Sequence, residues 1–186
     1  MATAIDVRDL HKRFGSQVVL DGLDLHVKRG EIFALLGPNG AGKTTTISVL
    51  TTLTQPDSGA ATVAGIDVVR NPDAVKQRIS LTGQATAVDE VLTGIENLVM
   101  LGRLSGLSRR SARTRAGELL AQFNLTDAGG KRVGAYSGGM RRRLDLALSF
   151  VVTPEIVFLD EPTTGLDTRS RRELWDMIRS LAAAGT

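Results

Sequence analysis

Gly37-Pro38-Asn39-Gly40-Ala41-Gly42-Lys43-Thr44 satisfies the pattern G-x-x-x-x-G-K-[ST] at every fixed position. Residues of these types at this spacing make a phosphate cradle. Glycines let backbone N–H groups turn inward around a polyphosphate, a lysine reaches the β- and γ-phosphates, and a threonine hydroxyl can join a magnesium ion. The flanking sequence has the form this loop needs. Glu31 to Leu36 is an apolar run of strand length, which predicts a buried strand feeding the loop. Thr44 to Leu53, apolar at Ile47, Val49, Leu50 and Leu53, predicts a helix whose positive N-terminal dipole faces the anion. A glycine-rich turn with a chance lysine would not require strand, loop and helix in that order.

Two further clusters carry chemistry. Ile156-Val157-Phe158-Leu159-Asp160-Glu161 is an apolar strand that delivers two adjacent carboxylates. Downstream of a phosphate loop, Asp160 is placed to hold Mg²⁺ through water, and Glu161 to aim an attacking water at the γ-phosphate. Pro162-Thr163-Thr164-Gly165-Leu166-Asp167 follows at once. Tyr136-Ser137-Gly138-Gly139-Met140-Arg141-Arg142-Arg143 reads as a second anion site. It offers a serine hydroxyl, two glycines that permit close approach, and N–H groups opening a helix.

These groups need elements to position them. Ile5 to Leu10 and Val18 to Val27 alternate as strands do, with Leu23, Leu25 and Val27 on one face and Asp24, His26 and Lys28 on the other. His26 is then an exposed strand residue and His11 a loop residue. Ala60 to Val69 predicts a strand pair punctuated by Gly65, and Arg78 to Gly83 a short strand. Thr93 to Leu107, Ser108 to Leu125 (Ser108 as N-cap) and Gly138 to Val152 read as helices, with turns from Asp127 to Ser137. In a final helix, Asp167 to Ala184, Leu174, Ile178 and Leu181 recur at helical spacing. Strands and helices alternating at both ends predict an α/β core with parallel strands. The expected arrangement is one domain over residues 1–186. Residues 1–84 and 151–186 form its core and a β subdomain, and 85–150 form a helical insertion. A last helix closed by Gly185 should lead into another strand, so the domain reads as incomplete.

Composition bounds the partners. At 186 residues and 42% apolar, the chain can bury a core of its own. It has no cysteine, which excludes disulfides and thiolate metal sites. Met1 to Leu10 alternates acid and base without the apolar stretch of a secretory leader. No window approaches the roughly 18 apolar residues that span a bilayer, so a separate polypeptide must cross any membrane the chain serves. The net charge of +3 is small, and its basic excess lies in Arg109-Arg110, Arg113, Arg115, Lys131-Arg132 and Arg141 to Arg143. Few aromatics accompany these charges, so no nucleic-acid partner is expected.

Taken together, these motifs resemble the ATP-binding cassette (ABC) ATPases over the whole chain. The resemblance implies a P-loop NTPase fold: a RecA-like parallel sheet with helices, an N-terminal antiparallel β subdomain and a helical insertion. It makes Gly37 to Thr44 the Walker A loop, Gln84 the Q-loop glutamine, Ser137 to Met140 the signature, Ile156 to Glu161 Walker B and Thr164 to Asp167 the D-loop. Phe14, in Lys12-Arg13-Phe14-Gly15, stands where the family stacks an aromatic on adenine. Read without the resemblance, Phe14 would be a core residue and Gln84 an exposed loop residue. Met140 departs from the glutamine common at that signature position, and the family's histidine switch would fall beyond Thr186. The phrase from Tyr136 to Asp167 is most similar to the daunorubicin-resistance, drug-exporting branch.

The implied site is specific. Phe14, Gly37, Pro38, Asn39, Gly40, Ala41, Gly42, Lys43, Thr44 and Thr45 hold ATP, with Ser137, Gly138 and Gly139 closing over the nucleotide of a second subunit. Thr44, Gln84 and Asp160 serve Mg²⁺, while Glu161, Lys43 and Gln84 carry the hydrolysis. The partners implied are a second copy, arranged head to tail, and a separate transmembrane permease. The place implied is the cytoplasmic face of the cell membrane. Two other readings stand beside this one: a soluble cassette ATPase acting on ribosomes or DNA, and a nucleotide-binding fragment without turnover.

Overall fold

The computed structural model describes residues 2–83 and 88–183. The chain divides into two compact units, one formed by residues up to Ser80 with the end of the last helix, the other by Leu81–Ser180. The first is built on β1 (Thr3–Phe14) and β2 (Gln17–Lys28), an antiparallel hairpin longer than the sequence alternation alone suggests. His11 lies within β1, not in a loop. β3 (Ser58–Val63) and β4 (Ile66–Asp67) extend the sheet, in the order β2-β1-β3-β4. The β3–β4 turn has Ala64 at φ 52° and Gly65 at φ 76°, the left-handed pair that suits the twist of a two-residue hairpin. Between β2 and β3 runs α1 (Lys43–Leu50), and after β4 comes α2 (Pro72–Lys76), a single turn with no clear periodic signal in sequence. Val7, Leu10, Leu20, Val27, Val49, Leu50, Val63 and Val75 are buried in this unit.

The strand expected over Glu31 to Leu36 is not formed. The described sheets are the four-stranded one and a β5–β6 pair, and neither contains these residues. Glu31 is used in the turn after β2, where its carboxylate accepts from the Lys28 N–H at 2.9 Å. Ile32, Phe33 and Leu36 stay exposed, Leu36 at 88%. Apolar composition suits a strand, but ladder hydrogen bonds make one, and composition does not name the partner.

β5 (Ile79–Thr82) leads into the second unit and pairs in parallel with β6 (Ile156–Leu159). Between them come α3 (Gly94–Leu104), α4 (Arg109–Gln122), two short 3-10 turns and α5 (Gly138–Leu148). Caps set their starts. At α3, Thr93 and Glu96 form a reciprocal capping box, and Ser108 caps α4 by accepting from the Ser111 N–H. α3 stops earlier than the apolar pattern implied because Gly106 turns left-handed at φ 89°. The buried side chains of this bundle include Leu98, Leu119, Phe123, Leu125, Val133 and Leu144. Phe123 packs against Phe150 with ring centres 5.9 Å apart. Asn97, 1% exposed, ties α3 to the segment before it through Asp89. α6 (Thr168–Ala183) follows β6 and buries Leu174, Met177, Ile178 and Leu181. The whole is mixed α/β, as the alternation of elements predicted.

Candidate functional site

In the first unit the phosphate loop leads directly into α1. Gly42 is the helix N-cap with φ 82° and supplies no side chain to the first-turn amides. A Cβ there would meet Leu20 Cδ2 at 2.7 Å and the Val19 carbonyl oxygen at 2.8 Å, so both conformation and space demand glycine. At Gly40, φ 84° again requires glycine, yet nothing lies within 4 Å of the side-chain position. The loop is thus packed on one flank and open on another. Lys43 Nζ donates to the carbonyl oxygens of Gly37 at 2.7 Å and Pro38 at 2.8 Å, drawing the loop into a ring. No acidic residue opposes an anion in the first turn of α1. The first-turn N–H groups of Lys43, Thr44 and Thr45 have no intrahelical acceptor, which leaves them for phosphate oxygens. Asn39, Ala41 and Thr44 are exposed along the same loop.

Phe14 ends β1 and pairs with Gln17 at the start of β2, while Gly42 abuts Val19 and Leu20 further along that strand. The two are separated by about 10 Å of strand, a span suited to a base at one end and phosphates at the other. Phe14 is 52% exposed, so it is not the core residue its apolar type suggests.

The second unit gathers the remaining candidates. Ser137 caps α5 by accepting from the Met140 N–H at 3.2 Å, which places Gly138 and Gly139 in its first turn. β6 ends at the two carboxylates, where the Asp160 N–H donates to the Thr82 carbonyl of β5 at 3.0 Å. Glu161 follows with φ 48°, in the left-handed region, and its Oε2 accepts from Thr164 Oγ1 at 3.1 Å. Gly138, Arg141, Arg142, Glu161, Thr164, Gly165 and Leu166 line a single cavity of about 460 Å³. Asp167 caps α6, accepting from the N–H and hydroxyl of Ser170. That backbone N–H in particular holds its carboxyl below the usual aspartate range. Gln84 lies outside the described residues.

Sequence reasoning missed Arg142. Named there only as part of the basic excess, it is 8% exposed and pairs with Asp145, itself 3% exposed, at 3.0 Å. Acid and base at i,i+3 inside an apolar helical run was the available signal. Thr44 in the first turn of α1 and Asp160 just past β6 each offer an oxygen donor of the hard kind that magnesium takes.

A profile of the family described as ABC transporter matches residues 20–164. The chain belongs to the ABC transporter family. Over 183 residues it is 60% identical to a daunorubicin resistance ATP-binding protein of Streptomyces coeruleorubidus, covering 98% of this chain and 57% of that protein. A doxorubicin resistance ATP-binding protein of Mycobacterium tuberculosis is 54% identical over 98% of this chain and 56% of its own length. The chain thus spans little more than half the length of these curated relatives. The structure of an ATP-binding subunit of an ABC transporter superposes with TM-score 0.81 at 30% identity, over 99% of this chain and 77% of that one. An ATP-binding cassette in its ADP conformation gives TM-score 0.90 at 22% identity over 100% and 79%, which speaks to the shared fold.

Proposed function

We propose that this chain is the ATP-binding subunit of an ABC exporter, binding ATP with Mg²⁺ and hydrolysing it as a head-to-tail pair. The observation that carries this reading is the Gly42–Lys43 junction. There a left-handed N-cap, an uncapped helix start and an ammonium already gathered among loop carbonyls make a preformed polyphosphate seat. The loop amides and Lys43 hold the phosphates and stabilise charge on the transferring group, and Phe14 carries the adenine. Thr44 and Asp160 would hold magnesium, which when bound offsets charge between the β- and γ-phosphates. Glu161 orients the water that attacks. Gln84 senses the γ-phosphate, and Ser137, Gly138 and Gly139 of one subunit close over the nucleotide of the other. ATP drives this closure by binding the closed pair more tightly than the open one.

A separate permease would cross the membrane, with this subunit docked at its cytoplasmic face through the region of Gln84 and the helices α3 to α5. No helix among the described residues is long and apolar enough to cross by itself. The cargo proposed is a drug or similar hydrophobic compound, following the names of the daunorubicin-resistance relatives. Two variants test the reading. Lys43→Ala should weaken ATP binding by about tenfold or more, the loss of a charged hydrogen-bond partner. Glu161→Gln should still bind ATP, stop turning it over and accumulate as a dimer on gel filtration. Unaltered affinity in the first, or undiminished turnover in the second, contradicts the assignment.

A further inference from the structure

Glu161 stands in a conformation its own sequence resists. The residue before a proline is steered toward extended backbone, and non-glycine residues rarely adopt positive φ. Yet Glu161 precedes Pro162 and has φ 48°. Such a conformation persists only where its neighbours over-determine it. The neighbour responsible is Arg142. Its Nε donates to the Pro162 carbonyl at 2.8 Å and its Nη2 to the Asp160 carbonyl at 3.4 Å, so one guanidinium grips the main chain on both sides of Glu161. Nη1 donates to the Gly83 carbonyl at 3.2 Å and to Asp145 Oδ2 at 3.0 Å. The side-chain end is held separately. Thr164 Oγ1 donates to Glu161 Oε2, and the Thr164 N–H donates to the Glu161 carbonyl at 3.2 Å.

We infer that Arg142 and Thr164 are positioning residues for ATP hydrolysis, fixing the Glu161 backbone and carboxylate respectively in the posture that aims water. A buried ion pair alone is a poor device for stability, since hydrophobic replacements of similar volume are often as stable. Arg142 directs most of its contacts elsewhere, to the carbonyl oxygens of Asp160 and Pro162, which flank Glu161, and to that of Gly83 just past β5. Only a planar fork with five N–H donors can do this; a lysine ammonium is a compact charge without that geometry. The same side chain is rooted in α5 just after the signature glycines, so the element that begins with Ser137 and the turn bearing Glu161 share one guanidinium anchor.

The inference rests on the reading of Glu161 given above, and the experiment separates the two. ATP turnover, ATP affinity and melting temperature are measured on the full chain for Glu161→Gln, Arg142→Lys, Asp145→Asn and Thr164→Val. In Arg142→Lys, kcat is expected to fall by about tenfold or more with ATP affinity within about twofold of the parent, because misplacement costs rate rather than binding. Asp145→Asn removes the ion pair but leaves the carbonyl grip, so it should lower the melting temperature more than it lowers kcat. Thr164→Val should lower kcat several-fold, roughly, at unchanged melting temperature. Turnover in Arg142→Lys close to the parent, or losses of kcat that simply follow melting temperature across the series, would overturn the inference. Should Arg142→Lys fail to fold, the exposed Thr164→Val decides alone, and an unaltered kcat there overturns it. Turnover surviving in Glu161→Gln removes the reading beneath it. An inactive Glu161→Gln beside a fully active Arg142→Lys removes only the inference.

Discussion

The Lys12 ammonium lies 2.8 Å from the Asp57 carboxylate and 5.4 Å from the centre of the Phe14 ring. Asp57 also accepts from the Arg13 N–H at 2.6 Å, so one carboxylate fixes two successive residues at the end of β1 and, through them, the ring. A cation within about 6 Å of an aromatic face is attracted to it. The ring nevertheless stays half exposed and available for stacking. Phe14→Ala should weaken ATP binding by about 1–3 kcal/mol, the usual worth of one base on one aromatic ring. Inorganic triphosphate, which has no base, should bind the variant as it binds the parent. Fluorescence titration with both ligands checks this, and equal losses for the two would remove Phe14 from the base site.

Asp57→Asn should show a smaller loss in the same titration. It keeps an acceptor for the Arg13 N–H but removes the charge that holds Lys12 beside the ring. Lys12→Met should match it, since both act on how Phe14 is held. If Asp57→Asn weakens triphosphate as much as ATP, its role lies elsewhere.

Much of this molecule was legible in its residues because local physics and chemistry coincide there. Gly42 must be glycine for its backbone and its neighbours, and the same requirement shapes the loop proposed to seat phosphate, so the motif names both. Ser108 and Asp167 announced helix starts that the structure bears out through hydrogen bonds to the following amides. What stayed hidden depends on long-range partners. Glu31 to Leu36 has the composition of a strand, but composition does not supply the ladder partner that it lacks in the described sheets. Arg142 looked like its neighbours Arg141 and Arg143; only the fold brings Gly83, Asp160 and Pro162 around it. The αL backbone of Glu161 is likewise invisible, because the following proline argues for the opposite conformation.

Acid should weaken the second unit in part through its helix caps. The Thr93 N–H and hydroxyl, donating to Glu96, hold that carboxyl below the usual glutamate range, and Asp167 is lowered by Ser170. A depressed folded-state pKa means the unfolded chain binds protons first as pH falls. The stabilisation is therefore full above the ordinary carboxylate pKa and is lost as pH drops through the lower folded value. Melting temperature followed from neutral pH down past the carboxylate range should fall, and Glu96→Gln should flatten that fall while lowering the neutral-pH plateau. An acid limb identical in parent and variant would assign the transition to other groups.

The two signature glycines should separate by phenotype, although they are adjacent. At Gly139 a Cβ would stand 2.7 Å from Ser170 Oγ and 3.1 Å from Ser170 Cβ, and that serine is tied in place by Asp167 Oδ2 at 2.7 Å. Gly139→Ala therefore forces α5 against the start of α6 and should cost about 1–3 kcal/mol of stability, the usual price of overpacking. Ser170→Gly in the same chain removes both clashing atoms and should recover part of that loss. At Gly138 nothing lies within 4 Å of the added carbon, and alanine is the better helix former. Gly138→Ala should thus leave the melting temperature unchanged or raise it. If the open face of this turn closes on the nucleotide of a second subunit, the added methyl group stands where that phosphate must approach. ATP turnover in Gly138→Ala should then fall although the fold is intact. Full turnover in a stable Gly138→Ala variant would show that nothing approaches this face closely during the reaction.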